Sequence, residues 1–119
     1  MTTPERVMTI ELRPGPFVGP VLRRVVGLLA ARADMPVDRV DEVILLAETM
    51  AQTAARHVAG ERLGVRLGDA DGTLRVEFGP LEPGVAANGL SGGELPADDD
   101  RAEVRSGEGG EYLVLTVGT

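Results

Sequence analysis

The segment RLGVRLGDADGTLRVEF, residues 62 to 78, decides the fold of this chain because it carries the alternation that predicts a β-hairpin. Apolar residues occupy every second position on both sides of the sequence DADG, namely Leu63, Val65 and Leu67 before it and Leu74, Val76 and Phe78 after it. A period of two is typical of a strand with one buried face, and Asp-Gly is common in tight turns between antiparallel strands. The hairpin therefore has one apolar face that other elements must cover.

Two helices are predicted upstream of the hairpin, and they can supply that cover. Apolar residues at helical spacing indicate a first helix from about Pro20 to Ala33, with the proline in the first turn, where its missing N–H is tolerated. A second helix is predicted from about Val37 to Ala59, with Gly60 as its stop. Its apolar stripe consists of Val40, Val43, Ala47, Met50, Ala54 and Val58.

The remaining segments complete an α+β fold. A first strand is predicted over Val7–Leu12, and a last hairpin pairs residues 101–105 with residues 111–117 around SGEGG. Residues 79–100 are rich in Gly, Pro, Ala and Asp and are interpreted as a loop with at most a short helix. The order β-α-α-β-β-loop-β-β predicts a two-layer α/β sandwich, with the helices on one face of a mostly antiparallel sheet. Residues 1–119 are expected to form a single domain.

Composition excludes several classes of function. The net charge of −7 argues against a nucleic-acid surface and against anionic membranes, because both require clustered cations. All 12 basic residues are Arg, which removes Schiff-base chemistry and a P-loop lysine. The absence of Cys and the single His make a metal site unexpected. Together with the lack of a long apolar run, the absence of Cys favours a cytoplasmic protein.

Aromatic residues are scarce, at 3% of the chain, so the core is expected to consist mainly of Val, Leu and Ala. Phe17, Phe78 and Tyr112 are the large side chains that are predicted to supplement it.

The stretch LRRVVGLLAARADMPVDRVDEVILLAETMAQTAARH, residues 22 to 57, carries a resemblance to a known family. It has an Arg-rich first helix, a short turn with a hydrophobic residue before Pro, and an acidic start to the second helix. In this order and spacing the chain resembles the histidine-kinase-like ATPase fold, also called GHKL, and within it the small anti-sigma-factor serine kinases of bacteria. The resemblance covers the chain from Val18 onward and implies the histidine-kinase-like ATPase fold.

The resemblance implies functional positions on the second helix. In that family a Glu acts as the base, an Asn four residues later holds the magnesium on ATP, and a His often follows after four more. The alignment that keeps TAARH in place puts Thr49, Thr53 and His57 at these positions. A rival register puts Glu48 and Gln52 there, one residue earlier, which on a helix is a rotation of about 100°.

Two further family motifs also depart from the pattern. After the third strand the family has Asp-x-Gly-x-Gly, whose Asp accepts the adenine amino group. This sequence has Pro80 at the Asp, Glu82 at the first Gly, and Gly84 at the second. The glycine-rich lid corresponds to NGLSGGELPADDD, residues 88 to 100, but Pro96 and three Asp residues oppose phosphate binding, and no apolar helix follows.

These departures favour a regulatory binding protein over an enzyme. The first hypothesis is an anti-sigma-like protein in which ATP binding is lost or weak, acting on a sigma factor, an antagonist domain or a second copy of itself. One alternative is an active, divergent ATP-dependent serine/threonine kinase, and only in that case are ATP and Mg²⁺ expected as cofactors. The other is a protein that binds a small ligand in the vacated nucleotide pocket. The partner-contact candidates are Arg23 and Arg24 on the first helix and the acidic run Asp98, Asp99 and Asp100.

Overall fold

A computed structural model describes residues 6–70, 72–84 and 101–118 of the chain. Two helices and five strands follow the predicted order: β1 Arg6–Leu12, α1 Val18–Arg32, α2 Val37–Ala55, β2 Leu63–Ala70, β3 Thr73–Leu81, β4 Arg101–Gly107 and β5 Gly110–Gly118. The strands form one sheet in the order β1-β2-β3-β5-β4, and every described strand pair is antiparallel. The α+β class and the compatibility with a two-layer sandwich are thus confirmed.

The hairpin that decides the fold forms in the predicted register. Val65 pairs with Phe78 and Leu67 with Val76, so the alternating apolar residues of the two strands lie on the same face. These side chains are fully buried, and they belong to one core cluster with the helices. Gly72 adopts a positive φ of 76° at the turn, which an L-residue with a side chain rarely takes. Alternation and turn chemistry therefore agree.

A residue in the left-handed backbone conformation follows the end of α1. Asp34 has a φ of 56°, and its N–H donates to the Ala31 carbonyl at 3.2 Å. The Met35 N–H reaches back to the Ala30 carbonyl at 3.1 Å, and the Met35 side chain is buried. This pair of hydrogen bonds is the Schellman arrangement, which satisfies carbonyls at the end of a helix and turns the chain toward its next element.

Helix α2 ends at Ala55, four residues before the predicted end at Ala59. The Arg56 and His57 N–H groups bond three residues back, which tightens the last turn. Val58 then forms an antiparallel bridge with Leu81 at the end of β3. Pairing with the sheet replaces the last helical turn, so the predicted stop at Gly60 was too late. The predicted apolar stripe of α2 is otherwise buried or packed against the core.

Three further predictions need correction. The predicted loop over 79–100 begins too early, because β3 continues through Gly79 and Pro80 to Leu81. Residues 85–100 lie outside the described part of the chain. Phe17 is 76% exposed at the start of α1 and does not enter the core. Tyr112 lies on the opposite face of the sheet, which leaves Phe78 as the buried aromatic residue.

The second face of the sheet carries no described helix and is called the open face below. Its residues alternate with the core residues along β2, β3, β4 and β5. They are Gly64, Arg66, Gly68, Arg75, Glu77, Gly79, Arg101, Glu103, Arg105, Tyr112, Val114 and Thr116. Among the described residues no helix is long and apolar enough to cross a membrane.

Candidate functional site

The side of α2 that carries Glu48 packs against α1. The Arg23 Nε–H donates to Glu48 Oε1 at 2.6 Å, and the Glu48 side chain is only 14% exposed. This hydrogen bond and the negative charge of Glu48 raise the pKa of the Arg23 guanidinium. Arg23, a candidate for partner contact, is therefore neutralised within the chain.

Two glycines of α1 lie against α2. A Cβ at Gly19 would lie 3.3 Å from Gln52 Nε2, and a Cβ at Gly27 would lie 3.4 Å from Ile44 Cδ1. Helix α1 thus runs along the line of Ile44, Glu48 and Gln52, which are spaced four residues apart on one side of α2. The residues of the rival register, Glu48 and Gln52, face the neighbouring helix.

The line of Thr49, Thr53 and His57 lies on the other flank of α2. The Thr49 hydroxyl donates to the Leu45 carbonyl at 2.9 Å, and the Thr53 hydroxyl donates to the Thr49 carbonyl at 3.1 Å. Thr49 is exposed, and Thr53 and His57 are half-buried. Each hydroxyl proton is therefore used inside its own helix, as is common for Thr in helices.

Backbone hydrogen bonds bring the predicted nucleotide positions of α2 and β3 together. The Glu82 N–H donates to the His57 carbonyl at 2.9 Å, and the Ala59 N–H donates to the Pro80 carbonyl at the same distance. The Gly84 N–H, two residues further on, donates to the Glu111 carboxylate at the start of β5. Of the positions that the resemblance assigns to one pocket, His57, Pro80 and Glu82 thus lie in one region of the fold.

The chemistry available in this region is limited. Thr49 and Thr53 offer hydroxyls that already donate within the helix, and Pro80 has no side-chain acceptor. Among the described residues, no three His, Asp or Glu side chains come together in a way that could hold a metal ion. The arrangement provides neither a carboxylate base nor an amide at the two positions on which the family's ATP chemistry depends.

The outer surface of α1 carries an exposed ridge formed by Arg24, Leu28 and Arg32, which we call the α1 ridge. These residues are spaced four apart and so lie on one line along the helix. Leu28 is 53% exposed, and neither arginine forms an ion pair with any described residue. Arg24 was a predicted contact candidate, and Asp98, Asp99 and Asp100 lie outside the described residues.

The polar residues of the open face were not among the site residues predicted from the sequence. Arg66, Arg75 and Glu77 alternate with the core residues of the deciding hairpin, so the alternation itself placed them on the second face. Their meeting with Arg105 depends on β5 lying between β3 and β4, and that strand order was not predicted.

No protein-family model matches the chain, and no curated protein matches it significantly.

Proposed function

We propose that this chain is a regulatory protein-binding domain of the bacterial cytoplasm that is built like an anti-sigma-factor kinase and acts by contact with another protein. The order β-α-α-β-β-loop-β-β and the closeness of His57, Pro80 and Glu82 support the likeness in architecture. Thr49, Thr53 and Pro80, at the positions of the base, the magnesium-holding amide and the adenine acceptor, support the loss or weakening of ATP binding.

The observation that carries the proposal is the α1 ridge. An exposed leucine between two exposed arginines combines an apolar anchor with cations that no described residue neutralises. Arg is common at protein interfaces because its planar fork binds carboxylates in a bidentate manner. The ridge therefore fits an acidic protein surface with an apolar recess, and complementary charge would steer the two together. A sigma factor or an antagonist domain is the kind of partner that the resemblance implies.

The alternative of an active kinase in the rival register is weaker for a specific reason. Glu48 is paired with Arg23 at 2.6 Å and faces α1, so it would have to leave this ion pair before it could act as a base. Gln52 lies against Gly19 on the same side. Glu48 therefore has a structural role in joining the two helices.

The test is photo-cross-linking in the native host from a reactive amino acid at Ala31, which is exposed beside the ridge. We expect capture of one protein through an acidic segment, and loss of that capture by about tenfold or more in the double variant Arg24→Glu, Arg32→Glu. The matched control is Arg13→Glu with Arg56→Glu, which makes the same charge change at two other exposed arginines.

Equal capture by the ridge variant and the control variant would overturn the proposal, because general charge and not the ridge would then govern binding. The proposal of a separate acidic partner would also be overturned if cross-links formed only between copies of this chain and analytical ultracentrifugation showed a dimer.

A further inference from the structure

The open face holds a compact group of charged side chains around Glu77. A cavity of about 220 Å³ is lined by Arg66, Gly68, Arg75, Glu77 and Arg105. Glu77 is only 8% exposed, although it is charged and lies on the face without helices. Gly68 contributes no side chain, so the space above its strand stays open.

Two of the arginines are held in place by Glu77. The Arg105 Nε–H donates to Glu77 Oε1 at 2.8 Å, and Arg75 Nη2 lies 3.5 Å from the same oxygen. The guanidinium of Arg105 also stacks over the ring of Tyr112, 4.5 Å from its centroid. These contacts fix the direction in which Arg105 presents its remaining N–H groups, so it is already positioned to bind.

The third arginine of the cavity, Arg66, is not paired with Glu77. Arg66 lies directly opposite Glu77 in the β2–β3 register, yet it forms no ion pair with any described residue. Directly opposed side chains on neighbouring strands are close enough to interact. Arg66 therefore borders the cavity as a cation whose own hydrogen-bonding groups remain available.

The charge of this group exceeds what the fold requires. Three arginines and one glutamate give +3 and −1, a local charge of +2, in a chain whose net charge is −7. Neutralising one buried carboxylate needs one cation, and each additional cation adds repulsion. On the neighbouring edge strand β4, the open face carries one cation and one anion, Arg101 and Glu103, with no net charge. The excess charge is therefore concentrated at the cavity.

We propose that the cavity around Arg66, Arg75 and Arg105 on the open face binds a small dianion of the phosphate monoester type. A dianion matches the local charge of +2, and arginine forks are well suited to phosphate oxygens. A volume of about 220 Å³ corresponds to roughly seven waters at about 30 Å³ each, which is enough for one phosphoryl group and its first substituent. This site lies on the opposite side of the sheet from the helices and does not depend on the proposed protein partner.

The test is a titration of the full chain with methyl phosphate at low salt. Calorimetry measures the affinity, and amide NMR shifts locate the binding site. We expect saturable shifts centred on Arg66, Arg75 and Arg105. Arg66→Gln should weaken binding by about tenfold, because it removes one of the charge-assisted contacts. Since Arg66 has no ion pair to lose, this variant should stay folded. Arg13→Gln, at an exposed arginine outside both proposed sites, is the matched control and should bind normally.

A change of pH separates recognition of the dianion from general attraction. A phosphate monoester loses its second proton near pH 6, so only about a tenth of it is a dianion at pH 5. We expect binding of methyl phosphate to be about tenfold weaker at pH 5 than at pH 7.5 relative to sulfate, which stays a dianion throughout. Sulfate thereby reports any titration of the protein itself.

Three outcomes would overturn the proposal. The first is the absence of saturable shifts on the open face. The second is an equal loss of affinity in Arg66→Gln and Arg13→Gln, which would indicate non-specific charge. The third is a constant ratio of phosphate to sulfate affinity between the two pH values.

Discussion

The two flanks of α2 contain residues that look equally suited to chemistry, but the fold uses them differently. On one flank Glu48 and Gln52 face α1, and Glu48 is locked to Arg23 at 2.6 Å. On the other flank Thr49 and Thr53 face away from α1, and their hydroxyls bond within their own helix. A carboxylate and an amide four residues apart are therefore no evidence of a catalytic site until their side of the helix is known.

The largest effect is expected from a bulkier side chain on the flank of α2 that packs against α1. Ala51 is fully buried and lies seven residues after Ile44, on the side that faces α1. Ala51→Leu should destabilise the chain by about 1–3 kcal/mol, because the extra methylene groups have no space. Urea denaturation measures the change. Thr49→Leu on the other flank is the control, and an equal loss there would mean that the flanks do not differ.

An opposite change on the packed flank should stabilise the chain. A Cβ at Gly27 would meet Ile44 Cδ1 at 3.4 Å, an ordinary contact, and glycine is unfavourable inside a helix. Gly27→Ala should therefore raise the free energy of unfolding by about 0.5–1 kcal/mol in the same assay. A destabilised variant would show that α1 and α2 lie closer than the described packing.

Removal of the ion pair should have a smaller effect that depends on salt. Arg23 is two-thirds exposed, so solvent screens most of its attraction to Glu48. Glu48→Gln should lower the urea midpoint slightly in low salt, and the difference from the parent chain should vanish in about 1 M NaCl. A large loss that persists in salt would assign Glu48 a different role.

The smallest effect is expected at Thr53. Its hydroxyl bonds to the Thr49 carbonyl of the same helix, and valine has nearly the same shape. Thr53→Val should change the free energy of unfolding by no more than about 0.5 kcal/mol. A larger loss in thermal or urea denaturation would show that the hydroxyl has a second partner.

Local patterns predicted the fold well where one short segment contained the whole signal. The hairpin of β2 and β3 follows from alternation around DADG, and the buried stripe of α2 follows from helical spacing. The end of α2 was missed because Val58 pairs with Leu81, which lies more than twenty residues away. Phe17 was assigned to the core by its size, yet its position before the first turn of α1 leaves it exposed.

The candidate sites show the same limit. The sequence identified Thr49, Thr53 and His57 as one line, but only the packing of α1 shows which flank Glu48 and Gln52 occupy. The cluster of the open face needs β4 beside β5, so that Arg105 can reach Glu77 over a separation of 28 residues. Contacts of that kind depend on the order of strands in the sheet, and the alternation within a single strand does not predict that order.

Calorimetry of the full chain with ATP and Mg²⁺ tests whether the α2 region still binds nucleotide, and its repetition on Arg66→Gln identifies any phosphate binding at the open face. We predict a dissociation constant for the α2 region no tighter than about 1 mM, equivalent to about −4 kcal/mol. A micromolar constant, about −8 kcal/mol, that requires magnesium and survives Arg66→Gln would contradict it. The second helix would then still bind the nucleotide that its threonines and Pro80 argue against.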